Sequence, residues 1–369
     1  MAIIQINQQR ARLYESLRTA HLERAHQLAP AAIIFRRRRY DFDADLTHGL
    51  ELVEAGPLKA AIVLARSRVR ALEVNEPLLL SSLPATAVVL LMLGLRRLFG
   101  GQRVMVVSYA IANSDPFKER LHLTWKSSVR NIIERKLAVL VWKRLDRVAF
   151  GTQTALETYY ELLPASEHLE KVLIPALPSA CSCQHQENRE TNRVIYLGDF
   201  SARKGFPLVL AAWPAVLHTN PSARLTIIGK GALVQDALSS AAADSSIEVV
   251  VDPPRQEIHR QLRRAQVLVL PSQSTPIWRE QVGLPIVEGL AHGCSIVTTT
   301  ETGLASWLAR QHHSVLPSEC SSDALAKAIE HQLEVAAPAR DITATLPEQD
   351  GRLAADVWLF EADTRARAK

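Results

Sequence analysis

The stretch QVLVLPSQSTPIWREQVGLPIVEGLAHGCSIVTTT, residues 266–300, decides the fold. It begins with a run of Val and Leu, passes through a polar loop into an apolar segment that starts at Gly283, and ends on a β-branched run. Pro285 stands where the segment begins, and proline is favoured at the first position of a helix because its missing N–H costs nothing there. A strand, a helix and a strand in this order predict two parallel neighbours in one sheet, joined by a right-handed crossover.

The same alternation extends along the whole chain. The other predicted strands are residues 2–6, 31–37, 103–110, 147–152, 193–200, 224–231 and 247–251. The other predicted helices are residues 12–29, 154–163, 205–219 and 255–265. Short β-branched strands separated by helices of this length indicate parallel sheets. The predicted fold class is therefore α/β, with two Rossmann-like domains.

The chain is long enough for two domains. It has 369 residues, a length that exceeds what one hydrophobic core usually organises, and 47% of them are hydrophobic. Residues 174–193 are poor in large apolar side chains and rich in Pro, Ser, Asn and Gln, as an exposed linker is. We therefore predict domains at residues 1–180 and 181–349, and a C-terminal helix at about residues 350–366 that packs back on the first domain.

Charge is concentrated in the first half of the chain. Residues 1–180 contain 25 Lys and Arg against 17 Asp and Glu, whereas residues 181–369 contain 18 against 21. Residues 117–147 mix basic and apolar side chains at helical spacing. Such a helix suits an anionic membrane surface or an anionic ligand, and equally an ordinary solvated face. Peripheral membrane association through the basic domain is one expectation, and nucleic-acid binding is not expected.

The cysteines and acidic clusters do not predict a metal site. Cys181 and Cys183 form a CxC pair without nearby ligands in the sequence, and no CxxC pair occurs, so we expect reduced thiols in a cytoplasmic protein. The DFDAD segment, residues 41–45, is interpreted as an acidic surface loop, and His292 as a structural histidine. We expect no signal peptide and no spanning helix, since the longest apolar run, residues 85–95, is shorter than a bilayer requires.

Two loops of the second half follow predicted strands and precede predicted helices, where parallel sheets bind ligands. The first loop carries Gly198 at the strand end and adjacent cations at Arg203 and Lys204, a composition that suits a phosphate near a helix N-terminus. An ordinary polar loop is the alternative interpretation.

The second loop carries two acids around a turn. Gly283 allows close backbone approach, and the amides of Gly283 and Leu284 are expected to face a ligand. Glu288 lies among apolar residues one turn into the helix, so its carboxylate must reach solvent or accept hydrogen bonds, for which sugar hydroxyls are suitable donors. Glu280 would contact another part of the same ligand. The alternative is that both acids are favoured only by the helix dipole.

Residues 193–316 resemble the nucleotide-binding domain of the GT-B glycosyltransferases, specifically the retaining GT4 family. The resemblance rests on the spaced glycine and lysine of the first loop, on IIGKG, on VLVLPS, and on two glutamates eight positions apart around GLP. Asp199 follows Gly198 where the family often has Arg, and Val282 stands where Phe is usual. The resemblance implies a GT-B fold whose two parallel sheets face an inter-domain cleft.

The resemblance also implies a chemistry. Glu288 would bind the ribose of a UDP- or GDP-sugar, Glu280 the transferred hexose, and Lys204 with Arg203 the diphosphate. It implies a metal-independent, front-face transfer to a hydroxyl acceptor, with the donor sugar nucleotide and no separate cofactor. A non-catalytic GT-B protein that binds a nucleotide or glycan, and a nucleic-acid binder, are the alternatives.

Overall fold

The computed structural model describes residues 5–39, 42–118, 125–183, 189–275 and 278–361. The chain divides into two compact units. Unit 1 comprises Met1–Gly151, Ala155–Ile174 and Arg352–Lys369, and unit 2 comprises Thr152–Thr154 and Pro175–Gly351. The chain thus passes between the units at residue 174, six positions before the predicted limit at residue 180, because Leu177 already packs in the core of unit 2.

Unit 1 is built on one parallel sheet of seven strands. They are β1 (Arg10–Leu17), β2 (Ala32–Arg38), β3 (Leu52–Glu54), β4 (Ala71–Val74), β5 (Met105–Ala110), β6 (Arg147–Phe150) and β7 (Glu170–Leu173). Their spatial order is β3-β2-β1-β4-β5-β6-β7. The helices of this unit are α1 (Thr19–Ala25), α2 (Pro57–Arg66), α3 (Leu83–Leu98), α4 (Trp125–Arg144), α5 (Gln153–Leu162) and α13 (Gly351–Phe360).

The interior strand β1 of this sheet was not recognised in the sequence. The helix predicted at residues 12–29 is wrong: β1 occupies its first part and only α1 is helical. Charged residues in this stretch imitate a solvated helix, but Arg12 is buried within an ion-pair cluster of the core. Of the strand predicted at residues 2–6, residues 2–4 lie outside the described part of the chain, and residues 5 and 6 are not in a strand.

The C-terminal helix α13 lies on unit 1. Arg12 bonds Asp356 of this helix at 2.7 Å and Glu73 of β4 at 3.1 Å, and Arg352 also pairs with Glu73. All four side chains are almost fully buried. Buried charges are tolerated only when they are paired, so this cluster fixes how α13 docks.

Helix α3 is the longest apolar helix of unit 1. With the turn before it, Leu80–Leu98 is long and apolar enough to cross a membrane by length and composition, and 39% of it is buried. The core helix of a soluble protein satisfies the same criterion. Leu83, Val89 and Leu90 are buried, as expected for a core helix, whereas Leu91 and Leu98 are exposed.

Unit 2 is built on a six-stranded parallel sheet in the order β10-β9-β8-β11-β12-β13. Its strands are β8 (Arg193–Leu197), β9 (Arg224–Gly229), β10 (Ile247–Val251), β11 (Val267–Leu270), β12 (Ser295–Thr299) and β13 (Ser314–Leu316). Its helices are α6 (Phe206–Thr219), α7 (Val234–Ala243), α8 (Arg255–Arg264), α9 (Leu284–Ala291), α10 (Ala305–Arg310), α11 (Ser322–Val335) and α12 (Ala339–Thr343).

The sequence predicted unit 2 well. Strands β8, β11 and β12 are buried along their whole length, as the near-continuous apolar runs of a sheet covered on both faces require. The predicted strand–helix–strand of residues 266–300 is confirmed, with β11 and β12 pairing in parallel around α9. Two parallel α/β sheets confirm the predicted fold class.

Candidate functional site

The candidate site of unit 2 lies at the reversal point of its strand order. Strands β8 and β11 are neighbours, and the chain runs outward from them in opposite directions across the sheet. In open α/β sheets the crevice at such a point, outside the carboxyl ends of the strands, is where ligands bind. Arg203 and Lys204 follow β8, and Glu280 follows β11.

The loops after β8 and β11 are docked on one another. Gly205 has φ +69° at the start of α6, and a Cβ there would lie 2.0 Å from the carbonyl oxygen of Pro271. Only glycine fits this conformation and this approach. The N–H of Gln273 donates to the carbonyl of Arg203 at 2.9 Å, which fixes the two loops together.

This docking brings Lys204 and Glu280 into contact. The Lys204 ammonium forms an ion pair with Glu280 Oε2, and Ser272 Oγ donates to the same oxygen at 3.2 Å. The two charged side chains are only 13% and 10% exposed. Each ion compensates the other where water has little access, so a ligand that enters must replace one of these contacts.

Trp278 supports both cations, and sequence reasoning missed it. Its ring lies 4.8 Å from Arg203 Cζ and 5.0 Å from Lys204 Nζ. Cations over a tryptophan face are held by its quadrupole. Arg203 also pairs with Asp199 at 3.3 Å, so the acid that departs from the family pattern is a partner of the predicted phosphate-binding arginine. A Trp two residues before Glu280 was the available signal.

The turn into α9 is shaped by Gly283. This residue has φ +83° and caps the helix, followed by Pro285 in the first turn. The N–H groups of Ile286 and Val287 donate to the Gly283 carbonyl. The N–H groups of Ile286 and Val287 are thus already engaged. The prediction of a ligand contact therefore depends on the amides of Gly283 and of the exposed Leu284.

Glu288 lies on α9 and has a partner that the sequence did not indicate. Arg255, the first residue of α8, approaches its carboxylate at 3.4 Å, and the Glu288 side chain is 24% exposed. The structure thus joins Lys204 with Glu280 directly, and sets Glu288 beside a separate cation. A basic residue at the start of the helix after β10 was the signal for this pair.

The family comparison covers this part of the chain. The model of the family described as Glycosyl transferases group 1 matches residues 191–334, which include both loops and α9. This part of unit 2 is therefore similar to a domain of that family. No curated protein sequence matches the chain.

Solved structures resemble the chain over almost its whole length. Anabaena HepE in complex with UDP has a TM-score of 0.63 at 12% identity, covering 96% of both chains. WaaG, a glycosyltransferase involved in lipopolysaccharide biosynthesis, has a TM-score of 0.61 at 13% identity, covering 96% of this chain and 100% of that chain. Sucrose-phosphate synthase from Thermosynechococcus elongatus has 0.57 at 16% identity, covering 96% and 95%. The shared fold is GT-B.

Unit 2 also contains a cluster of one cysteine and two histidines, which the sequence did not indicate. The CxC pair was thought to lack ligands, but Cys181 lies with His259 and His292, their ligand atoms within 4.8 Å of one another. His292 Nδ1 bonds the Glu288 carbonyl at 2.7 Å. Burial lowers the pKa of His292 to about 4, so the imidazole is neutral at pH 7. The sequence did not indicate that two imidazoles lie beside Cys181 of the CxC pair.

Unit 1 has a pocket at its own reversal point, where β1 and β4 are neighbours. Glu15 of β1 accepts bonds from Arg36 at 3.1 Å and Arg37 at 3.0 Å, and its N–H donates to Asn75 Oδ1 at 2.7 Å. Glu15 Oε2 is buried and has no hydrogen-bond partner among the described residues.

The DFDAD segment is seen in part, because Asp41 lies outside the described residues. The N–H of Asp45 donates to Asp43 Oδ1 at 2.9 Å in an exposed turn. This turn belongs to unit 1, whereas Lys204 and Glu280 belong to unit 2.

Proposed function

We propose that the protein transfers a hexose from a nucleotide diphosphate sugar to a hydroxyl acceptor with retention of anomeric configuration. The observation that carries this proposal is the Lys204–Glu280 ion pair at the strand reversal of unit 2, in the part that is similar to a group 1 domain. The pair places a cation, which suits the phosphate of the donor, beside a carboxylate, which suits a hydroxyl of its sugar.

The cation serves the leaving group. When the bond between the anomeric carbon and the diphosphate breaks, negative charge develops on the phosphate oxygen. Lys204, with Arg203 beside it over Trp278, would stabilise that charge, and the amides of Gly283 and Leu284 would bind a phosphate at the N-terminus of α9. Gly198 ends the strand that carries the first loop. These groups supply the positive charge from the protein itself.

The two acids recognise the ends of the donor. When Lys204 binds the phosphate instead of Glu280, the Glu280 carboxylate would accept hydrogen bonds from the hexose hydroxyls. Glu288 would accept from the ribose hydroxyls, with Arg255 orienting its carboxylate. Anabaena HepE was solved with UDP, which supports a uridine donor, and a GDP-sugar fits the same groups.

The acceptor oxygen would attack on the face that the diphosphate leaves. The new bond joins that oxygen to the anomeric carbon, and its proton passes to the departing phosphate oxygen. A polyhydroxylated acceptor, either a glycan, a lipid-linked glycan or a metabolite, fits this chemistry.

We place the enzyme in the cytoplasm, attached peripherally to an anionic membrane through α4. The exposed apolar residues Val129, Ile132, Ile133 and Leu140 lie along one face, opposite the buried Ala138, Val141 and Trp142. Lys136 and Lys143 fall in the same exposed arc. Apolar side chains flanked by lysines are what an anionic lipid surface binds.

A nucleotide-binding experiment tests the function. Thermal unfolding would be measured with UDP, GDP and their sugars, and we expect one nucleotide series to raise the melting temperature because it binds only the native state. The anomeric configuration of the product would then be determined by NMR. Absence of stabilisation by every nucleotide tested, or an inverted product, would contradict the proposal.

A non-catalytic nucleotide- or glycan-binding protein is the second candidate. Its support is the Asp199–Arg203 pair, which places a negative charge in the loop proposed to receive phosphate. This candidate predicts nucleotide binding without transfer or slow hydrolysis of any sugar nucleotide. Transfer activity in Asp199→Asn separates the two, because an enzyme impeded by this charge would transfer sugar faster in the variant, whereas a non-catalytic protein would stay inactive.

A further inference from the structure

Three side chains with metal-binding atoms converge in unit 2 from distant parts of the sequence. Cys181 precedes β8, His259 lies on α8, and His292 caps the end of α9. Their sulfur and ring nitrogens lie within 4.8 Å of one another, and no other such group of three occurs among the described residues. The two imidazoles meet edge to face with centroids 4.8 Å apart.

The backbone holds this cluster together. The N–H of Cys181 donates to the carbonyl of Ala291 at 2.8 Å, so the linker segment is attached to the end of α9. Gly293 follows with φ +77°, and a Cβ there would lie 2.6 Å from Cβ of Ala339. The position of His292 is therefore set by the close packing of the residue after it.

His292 presents one nitrogen to the cluster. Nδ1 bonds the carbonyl oxygen of Glu288, so it carries the proton and Nε2 carries the lone pair. That Nε2 atom is buried and has no hydrogen-bond partner among the described residues. An unsatisfied buried acceptor is costly, and a ring oriented by a backbone carbonyl is the usual arrangement of a metal-ligating histidine.

We propose that Cys181, His259 and His292, with Cys183 as the fourth ligand, bind one Zn²⁺ ion. Cys183 lies next to the cluster, because its N–H donates to Cys181 Sγ at 3.4 Å. The charges of Arg255 and Arg263 act on His292, so the site already has positive neighbours. These positive neighbours disfavour a divalent cation unless its charge is neutralised. Two thiolates neutralise it, so the proposed site requires both cysteines.

The ligand set selects zinc. Two sulfurs and two imidazoles in tetrahedral geometry favour Zn²⁺ among divalent ions, with bonds of about 2.3 Å to sulfur and about 2.0 Å to nitrogen. These bonds put donor atoms roughly 3.3–3.7 Å apart, so small side-chain rotations would close the cluster on an ion. Four protein ligands leave no open position, which indicates a structural site rather than a catalytic one.

The ion would hold α8 against α9. Arg255 lies one turn before His259 on α8, and Glu288 lies one turn before His292 on α9, and these two residues form the ion pair at 3.4 Å. The metal would therefore fix the separation of the helices that carry this pair. Metal binding itself needs no sugar nucleotide, so it is tested independently of the proposed transfer.

Cobalt is the probe for the test. Metal-free, reduced protein would be titrated with Co²⁺, and we expect one equivalent to produce the visible bands of tetrahedral cobalt and a thiolate-to-cobalt charge-transfer band. Cys181→Ser, Cys183→Ser and His259→Ala should each weaken Zn²⁺ binding by more than the roughly 10- to 100-fold that the loss of an outer hydrogen-bond partner causes. Cys320→Ser and His218→Ala, which change residues of unit 2 outside the cluster, should bind as the wild type does.

Circular dichroism would show that each variant is folded before it is titrated. A wild-type protein that gives no thiolate-to-cobalt band would overturn the proposal. So would a band that persists unchanged in Cys181→Ser, or metal analysis showing the same zinc content in the wild type and in the variants of the cluster.

Discussion

The Lys204 ammonium and the Glu280 carboxylate form a largely buried ion pair, although 76 positions separate them in the chain. The contact exists because Gly205 lets the loop after β8 approach the Pro271 carbonyl. The two side chains are only 13% and 10% exposed, so the charge of each compensates the other where water has little access. A bound diphosphate would take Lys204 and release Glu280 for a sugar hydroxyl, and this exchange is the basis of the first prediction.

Lys204→Ala should weaken binding of the nucleoside diphosphate about 10- to 100-fold, because a charge-assisted hydrogen bond contributes about 1.5–3 kcal/mol. Glu280→Gln should leave nucleotide binding nearly unchanged and lower the rate of transfer, since its role concerns the sugar. Calorimetric titration and initial rates measure the two effects. Lys327→Ala, an exposed lysine of the same unit, is the control. Equal affinity of Lys204→Ala and wild type would show that Lys204 does not contact the phosphate.

Trp278→Ala should reduce nucleotide affinity about 3- to 30-fold through loss of the cation–π contacts that orient Arg203 and Lys204, which are worth about 0.5–2 kcal/mol. Trp278→Phe keeps an aromatic face and should retain most of the affinity. Calorimetry with the nucleotide that stabilises the wild type compares the variants. If the Phe and Ala variants bind equally poorly, the ring does not act through its face.

Stability should fall as the pH decreases from about 6.5 to about 4 because of His313. Burial lowers the pKa of His313 from its ordinary 6.5 to about 4, and its Nδ1 accepts the N–H of Ile296. Between these pH values the unfolded chain binds a proton at this histidine and the native state does not. His313 therefore contributes about 3 kcal/mol to the free energy of unfolding above pH 6.5, and this contribution is lost as the pH falls towards 4.

His313→Asn keeps an acceptor for Ile296 and removes the titration, so its free energy of unfolding should depend less on pH in this window. Urea denaturation at a series of pH values measures the slope. His218→Asn, which changes an exposed histidine of the same unit, should keep the wild-type slope. An identical slope in His313→Asn would assign the pH dependence to other groups.

Ile132→Glu and Ile133→Glu should reduce binding to vesicles of anionic phospholipid at least about 10-fold, because each places a charge on the exposed apolar face of α4. Co-sedimentation measures binding, which should also fall as salt rises. Ile62→Glu changes an exposed isoleucine on α2 and serves as the control. A reduction of the same size in the control would place the membrane contact elsewhere or make it non-specific.

Asp356→Ala should destabilise unit 1 by about 3–5 kcal/mol, since it leaves Arg12 buried beside one acid instead of two. Denaturant unfolding followed by a signal from unit 1 measures the change. Val357→Ala alters an exposed position of the same helix and should cost far less. A small effect of Asp356→Ala would mean that α13 is held mainly by Leu359 and Phe360.

The strand β1 shows where local pattern misleads. Its sequence RARLYESL carries two arginines and a glutamate, which elsewhere would indicate an exposed helix, yet it forms an interior strand of a sheet. The charge of Arg12 is compensated by Glu73 and Asp356, which lie 61 and 344 positions away. A pairing over such distances leaves no trace in a local window.

The sequence by itself determined the α/β class, the parallel sheet of unit 2 and the position of the glycine turn at Gly283. These features depend on periodicity, on β-branched runs and on backbone conformations that few residues adopt, all of which are local. Only the tertiary structure decided that Lys204 meets Glu280, that Arg255 faces Glu288, and that Cys181 lies with two histidines. Such contacts depend on how loops from different strands pack against each other, and packing is fixed by the whole fold.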